Sequence, residues 1–524
     1  MIRNNYQAAL DSAASQLPVV FKSLAVGVVS AAVSILYRLA LSSADALRSQ
    51  ILATIKGNVG LILAYFAVLA VLALATGWLV RRYPMIGGSG IPQVKGQIKG
   101  LVRCPWQSTL VAKFFGGLVT GLAGLSVGRE GPSIQLGSSA AHGLADRLAA
   151  TRVERKILIA SGASAGLAAA FNAPLAGVVF AFEEIFKYIS PIILLSTISA
   201  AVMADYFSKL VFGFEPAFEF HLVAELPLSA YWLLILLGVL TGLGGAIYNR
   251  FMLATIKAYQ KLGSLRPWLK ELLPFTLAGV LGLTFPIVLG GGHPIIEAIT
   301  PQVTLGWLVL VLVVKFLFSA LSFGSGVPGG IFFPLLILGA LIGATYAEVA
   351  TLATGLSPDL LPNLMILAMA GFFTAIVRAP ITGILLLTEM TGSFAYILPL
   401  TLVSITAYVV AELLKSQPIY DSLLDNLVAR HGTERPERDQ FRKIVVSAIV
   451  HHGAPVENQA IRDVKWPEGA LVVAIRRHGL DITPRGDTVM EAEDELVVLT
   501  NIRQEAQVRH RLEQLAEYDP DGHG

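Results

Sequence analysis

The sequence predicts an all-α integral membrane protein with a small α+β domain at its C-terminal end. Three observations predict it. Only 14% of the 524 residues are charged and 54% are hydrophobic, with a mean hydropathy of +0.67, whereas soluble domains carry about 25% charged residues. Several apolar runs approach the roughly 20 residues that a spanning helix needs. Near residue 430 these runs stop and short alternating ones begin.

Taken in order, the chain opens on "MIRNNYQAALDSAASQLP". This stretch lacks the basic lead and apolar core of a signal peptide and is expected to form a polar helix on the membrane surface. Clear spans follow at 18–36, 59–80, 231–248, 303–321 and 396–414. Segments such as 331–349 and 364–377 are shorter or interrupted by Gly and Pro. A break facing lipid leaves backbone groups unsatisfied, so these segments must be covered by protein or line a cavity. Arg and Lys cluster at 81–103, at 152–156 and after 415. The positive-inside rule places such clusters, and with them both termini, in the cytoplasm. The single cysteine, Cys104, excludes an intramolecular disulfide and a cysteine-based metal cluster. The net charge of +3 says little about partners; no cofactor, metal or nucleic acid is expected.

A membrane domain, 1–430, is followed by a polar linker, 431–440, and a soluble domain, 441–517. In that last part "KIVVSAIV", "GALVVAIRRHG" and "DELVVLTN" alternate like strands, and "RQEAQVRHRLEQLAEY" closes the domain as a helix.

The membrane domain repeats itself, in halves of about 18–210 and 228–428. Gly128, Pro132, Leu136 and Gly137 align with Gly330, Pro334, Leu338 and Gly339 at an offset of 202 residues. Ala173, Pro174, Gly177 and Glu183 align with Ala379, Pro380, Gly383 and Glu389 at an offset of 206. Two matches in the same order argue for duplication, and transporters built from two repeats bind their cargo where Gly/Pro-broken segments meet. In both halves Gly and Pro sit at a helix start, where free N–H groups and a partial positive charge favour anions. "GGSGIPQVKG", 87–96, supplies a third such start, with the Ser89 hydroxyl beside it. Neutral donors of this kind suit a small monovalent anion that must both enter and leave.

"GSGIP" (88–92), "GREGP" (128–132) and "GGIFFP" (329–334), in this order and with "FNAPLAG" between them, resemble the signature motifs of the CLC family of chloride channels and proton–chloride antiporters. The resemblance covers 18–428. It implies a homodimer in the cell's plasma membrane, each subunit holding its own pathway and built from two inverted repeats of tilted, partly re-entrant helices. Chloride and protons are the implied cargo.

The resemblance also implies roles. Ser89, Ile331, Phe332 and Tyr420 hold chloride, together with the Gly128, Arg129 and Gly131 turn; Arg129 is structural or electrostatic. Read alone, Ser89 is as readily a helix N-cap, and Tyr420 an interfacial tyrosine. Glu130 is the gating carboxylate that contests the outer anion site. Its plainer reading is an ion pair with Arg129, although neighbours in a helix do not face each other. Glu184 falls on the inner proton glutamate, which passive members replace by an uncharged residue; here it favours an antiporter, with passive anion conduction the alternative. Glu183 and Lys113 are expected near the proton path. Glu183, which matches Glu389, has a structural reading too, as an acceptor for backbone N–H groups. Lys95 stands where some exchangers have an acidic residue, so proton access to Glu184 is expected to differ.

The tail "LVVAIRRHGLDITPRGDTVMEAEDELVVL", 471–499, resembles a TrkA-C (RCK-C) domain. The resemblance implies pairing and a small anionic ligand, and Arg476, Arg477 and Arg485 are candidates to fork a nucleotide-type phosphate; read alone, they form a solvated basic edge equally well. His451 and His452 lack further ligands at metal spacing. Three other readings compete. The motif serine at 89 argues against a fluoride exchanger. A hydrolase using Ser89 and His142 has no motif-supported orienter. A potassium pathway would need a T-V-G-Y-G filter that is missing.

Overall fold

The computed structural model describes residues 2–214, 227–265, 267–431, 443–477, 480–501 and 504–517. The chain forms two compact units, Met1–Thr433 and Glu434–Gly524. Most of the linker, from residue 432 on, lies outside the described residues.

The described residues of the first unit are almost entirely helical. Seven of their helices are long and apolar enough to span a membrane. The sequence reading needs three corrections here. The polar N-terminal stretch is not a separate surface element; it runs through Pro18 into one helix, Ile2–Ile55. Helix Pro191–Phe212 is long and apolar enough to span although it was not among the clear runs. Its polar positions dilute the apolar signal, and Asp205 and Lys209 neutralise each other at 2.6 Å, one turn apart. Segment 331–349 lies in an unbroken helix, Phe332–Thr354. Its glycines are packing sites: a Cβ at Gly339 would stand 2.7 Å from the backbone of Met369, and one at Gly343 2.7 Å from that of Met365. Close helix contact through small residues is a common way to pack helices in lipid. By contrast, Ile397–Leu413 is apolar but only 17 residues long.

The two repeats meet about a local two-fold axis. Gly128 and Gly330, equivalent residues, pair with each other in antiparallel fashion, exchanging N–H···O bonds of 2.6 and 2.8 Å. Further out, Glu183 accepts from Ile381 N–H (3.1 Å) and from the N–H and hydroxyl of Thr382 (both 2.7 Å). Its equivalent, Glu389, accepts from Leu175 N–H (3.0 Å) and Ala176 N–H (2.8 Å). Each carboxylate thus caps the helix that starts in the other repeat, Pro380–Thr391 or Pro174–Phe180, satisfying donors that have no partner within the helix.

In the second unit four strands form an antiparallel sheet: β1 (Lys443–Ile449), β2 (Leu471–Arg477), β3 (Leu480–Ile482) and β4 (Glu495–Asn501), in the order β1-β4-β2-β3. Val446, Ile475, Leu496 and Val498 alternate into its core, where Val508 and Leu512 of helix Glu505–Ala516 also lie. The sequence showed three strands; β3 escaped notice because three residues are too few to display an alternation.

Candidate functional site

Three loops bring helix starts to one point. Gly88 donates to the carbonyls of Gly326 (3.3 Å) and Val327 (3.1 Å) and accepts from Gly329 (3.1 Å). Gly90 adopts φ +100°, a left-handed turn that favours glycine, and leads into helix Ile91–Ile98 with Pro92 in its first turn. Beside it start helices Glu130–Arg147 and Phe332–Thr354. The fit leaves no room for a side chain: a Cβ on Gly131 would strike the Ser89 hydroxyl and lie 3.2 Å from the Gly330 Cα. Helix Ile419–His431 adds Tyr420 in its first turn.

Three polar atoms meet here without partners. The Ser89 hydroxyl, the Tyr420 hydroxyl and Oε2 of Glu130 are all buried, and none makes a well-formed hydrogen bond, although the two hydroxyls lie close to each other. The capping reading of Ser89 fails, because the cap position belongs to Gly90 and no N–H reaches the serine oxygen. A buried polar group left unpaired costs about 1–3 kcal/mol, so a convergence of three marks a place prepared for a ligand. Glu130 heads its helix, and the backbone N–H groups of Arg129, Glu130 and Phe333 surround its carboxylate. Arg129 Nε approaches Glu130 Oε1 to 3.8 Å, too far for a hydrogen bond. The spacing rule for helices does not hold them apart, because Arg129 sits at the cap, outside the helix proper. Ile331 and Phe332, both buried, occupy the cap and first position of the facing helix.

Two cavities approach this point. One, of about 380 Å³, reaches Ser89 and Gly88 and is walled in part by Arg81, Lys270 and Arg430. The other, of about 920 Å³, reaches Glu130 and Gly128 past Arg38, Arg48 and Arg129. Ser89 and Glu130 therefore stand at the ends of two basic funnels, with the paired glycine loops between them. Residues 71–412, more than half of the chain, match the family model described as voltage gated chloride channel.

The chain belongs to the voltage-gated chloride channel family. Residues 445–513 match the TrkA-C domain. Among curated proteins, the H(+)/Cl(-) exchange transporter ClcA of Salmonella typhimurium is 32% identical over 448 residues, which is 84% of this chain and 94% of the relative. Among solved structures, a slow cyanobacterial Cl-/H+ antiporter matches with a TM-score of 0.74 and 32% identity, covering 79% of this chain and 98% of the other. A eukaryotic CLC transporter, 22% identical with a TM-score of 0.62, shares the fold over 79% of this chain and 74% of its own.

In this chloride-channel-family chain the remaining site residues sort differently from the sequence reading. Lys113 is tied to the motif loop: its ammonium donates to the carbonyls of Ile86 (2.9 Å) and Gly88 (2.6 Å). Lys315, 202 residues later, does the same with Val288 (2.9 Å) and Gly290 (2.8 Å), and all three positions obey the repeat offset. Lys113 is therefore a prop for the Ser89 loop. The repeat is broken at the hydroxyl itself, since Ser89 corresponds to Gly291. Glu183 is a cap for the other repeat, as described. We expect Glu183→Ala to destabilise the protein by about 2 kcal/mol, the range for losing a helix cap with charged hydrogen bonds. The thermal unfolding midpoint in detergent reads this; an unchanged midpoint defeats the capping role.

Glu184 lies in a π-helical turn, Ala181–Phe186, a local widening that often marks functional sites. Its Oε1 accepts from Lys95 at 2.6 Å, and Lys95 also bonds Asp421. Asp421 was missed by the sequence reading, because its partners lie hundreds of residues away. His142 bonds Gln97 at 2.9 Å, a partner set that leaves the Ser89–His142 pairing without support.

In the C-terminal unit Arg476 is held by Asp481 (3.1 Å) and Glu495 (2.8 Å). Arg477 forks Asp494 with two bonds of 2.8 Å and also meets Glu491. Nearby carboxylates hold the Arg477 guanidinium above its ordinary pKa. Both arginines are paired with carboxylates inside the domain. Arg485 is exposed; its backbone N–H donates to the Thr488 hydroxyl and its carbonyl accepts from the Thr488 N–H.

Proposed function

We propose that this chain exchanges chloride for protons across the membrane. The observation that carries the reading is the convergence of the partnerless Ser89, Tyr420 and Glu130 oxygens on three helix N-termini. Chloride lies between the Ser89 and Tyr420 hydroxyls and the N–H groups of Ile331 and Phe332. These are dipoles without net charge, strong enough to replace hydration and weak enough to release the ion. The ionised Glu130 carboxylate occupies the neighbouring N–H groups as an anion itself. Protonated, it is neutral, loses its attraction for the helix ends and yields the place to chloride. Glu184 is the proton acceptor on the other side. The chain works as a homodimer in the plasma membrane with both termini in the cytoplasm; the Arg and Lys clusters on its loops support that orientation. Carrying a TrkA-C domain at its C-terminal end, it joins transport to a unit with its own core.

Reconstituted vesicles test the reading. A chloride gradient is expected to drive protons uphill. Glu184→Gln is expected to retain chloride flux while proton movement falls to background. Chloride flux with no proton movement in the unaltered protein would make it a passive conductor.

A further inference from the structure

Glu184 has no side-chain exposure, so a proton must reach it through protein. In this chain the way is occupied by charge. Lys95, also fully buried, bridges Glu184 Oε1 and Asp421 Oδ1. Lys187 lies 3.5 Å from Glu184 Oε2 and 3.7 Å from Asp421 Oδ2. Lys99, one turn beyond Lys95, adds its field to the same group. Three elements thus contribute three ammonium groups and two carboxylates: helix Ile91–Ile98 with its cap, the π turn with Lys187, and the first turn of helix Ile419–His431. Lys99, Lys187 and Asp421 reach solvent, the last two with 40% and 39% of their side chains exposed, and of the two carboxylates only Asp421 does. Glu183, the carboxylate adjacent to Glu184, is fully engaged in capping the other repeat.

We propose that Asp421 is the solvent-facing proton acceptor of the exchange cycle and that Lys95 passes its proton to Glu184. The proposal rests on the exchange reading above. The step balances. A proton from solution neutralises the Asp421 carboxylate. That proton moves to the Lys95 nitrogen as Lys95 gives one of its own to Glu184 Oε1. Asp421 ends ionised, Lys95 remains an ammonium, and Glu184 ends as the acid, with Oε2 free of any hydrogen bond for onward transfer. The lysine's charge is the same before and after, so no unpaired charge is created in the buried space, where it would be costly. Position adds a second consequence. Asp421 follows Tyr420 directly, so the residue that takes the proton and the residue that faces chloride share one helical turn.

The experiment uses the full chain in vesicles, with chloride and proton movements recorded together. A well-placed proton-transfer group contributes on the order of 100-fold or more to its step, so Asp421→Asn is expected to lower protons moved per chloride by at least about tenfold. Asp421→Glu restores most of the ratio, and Lys95→Met lowers it as Asp421→Asn does. The dependence of turnover on pH at the Asp421 side flattens in Asp421→Asn. Glu184→Gln is run beside them. Normal coupling in Asp421→Asn with lost coupling in Glu184→Gln overturns the proposal and leaves exchange standing. Normal coupling in both overturns the role of Glu184 on which it rests. Loss in Asp421→Asn without rescue by Asp421→Glu makes Asp421 a structural ion-pair partner and also overturns it.

Discussion

Glu130→Ala is expected to abolish proton movement while chloride still crosses. The carboxylate is the one acid among the three atoms that ordinarily ionises below neutral pH, and it heads a helix whose free N–H groups surround it. A methyl group carries no proton and cannot compete for those donors. The proton component should fall by roughly 100-fold or more, the contribution typical of a placed proton-transfer group, and chloride flux should lose its dependence on pH. Parallel chloride and pH electrodes on reconstituted vesicles measure both. Uphill proton pumping that survives in Glu130→Ala would remove Glu130 from the cycle. Glu130→Gln separates charge from size: it keeps the bulk of the gate without its charge, and chloride flux should rise or fall with whether the amide blocks the funnel.

Ser89→Ala is expected to weaken chloride binding by about 10- to 100-fold, because a hydrogen bond to a charged partner is worth about 1.5–3 kcal/mol and each 1.4 kcal/mol is tenfold. Nitrate, more weakly hydrated, should gain relative to chloride. The second repeat shows that the loop folds without the hydroxyl, since Gly291 stands at the equivalent position between Gly290 and Gly292, with Lys315 propping it as Lys113 props the first. The substitution therefore tests binding and not folding. Unchanged relative permeabilities would reduce Ser89 to a spacer.

Much of the site was legible because Gly and Pro punctuate the chain at fixed offsets. Gly128 and Gly330 could be matched from sequence, and they prove to pair. The same offset links Lys113 to Lys315, but a lysine in an apolar run reads as an ionisable group with a task, and a bond to a carbonyl leaves no pattern in sequence. Glu183 was legible in both its readings, and its match to Glu389 pointed to the correct one. Asp421 was illegible: its bond to Lys95 spans 326 residues, and nothing near "SQPIYDSLL" announces it. The carboxylate partners of Arg476 and Arg477 were illegible for a related reason. They lie 5 to 19 residues away across strands and turns, so the neutralisation of the arginines appears only once the sheet is assembled. The glycines of 331–349 looked like breaks because sequence cannot tell a flexible position from one where another helix presses close.

The exchanged caps of Glu183 and Glu389 bear on how such a chain could arise. Neither half is complete alone: each leaves the start of one helix without its acceptors and carries a carboxylate with nothing to hold. A half-length ancestor would have met both needs at once by pairing two copies inserted in opposite directions, with the glutamate of each copy serving as the acceptor that caps the helix of the other. Gene duplication and fusion would then have locked a pre-existing dual-topology dimer into one polypeptide, after which the two copies were free to diverge. The serine hydroxyl at position 89, absent from its counterpart, is the mark of that divergence: the two halves came to contribute different groups to one site.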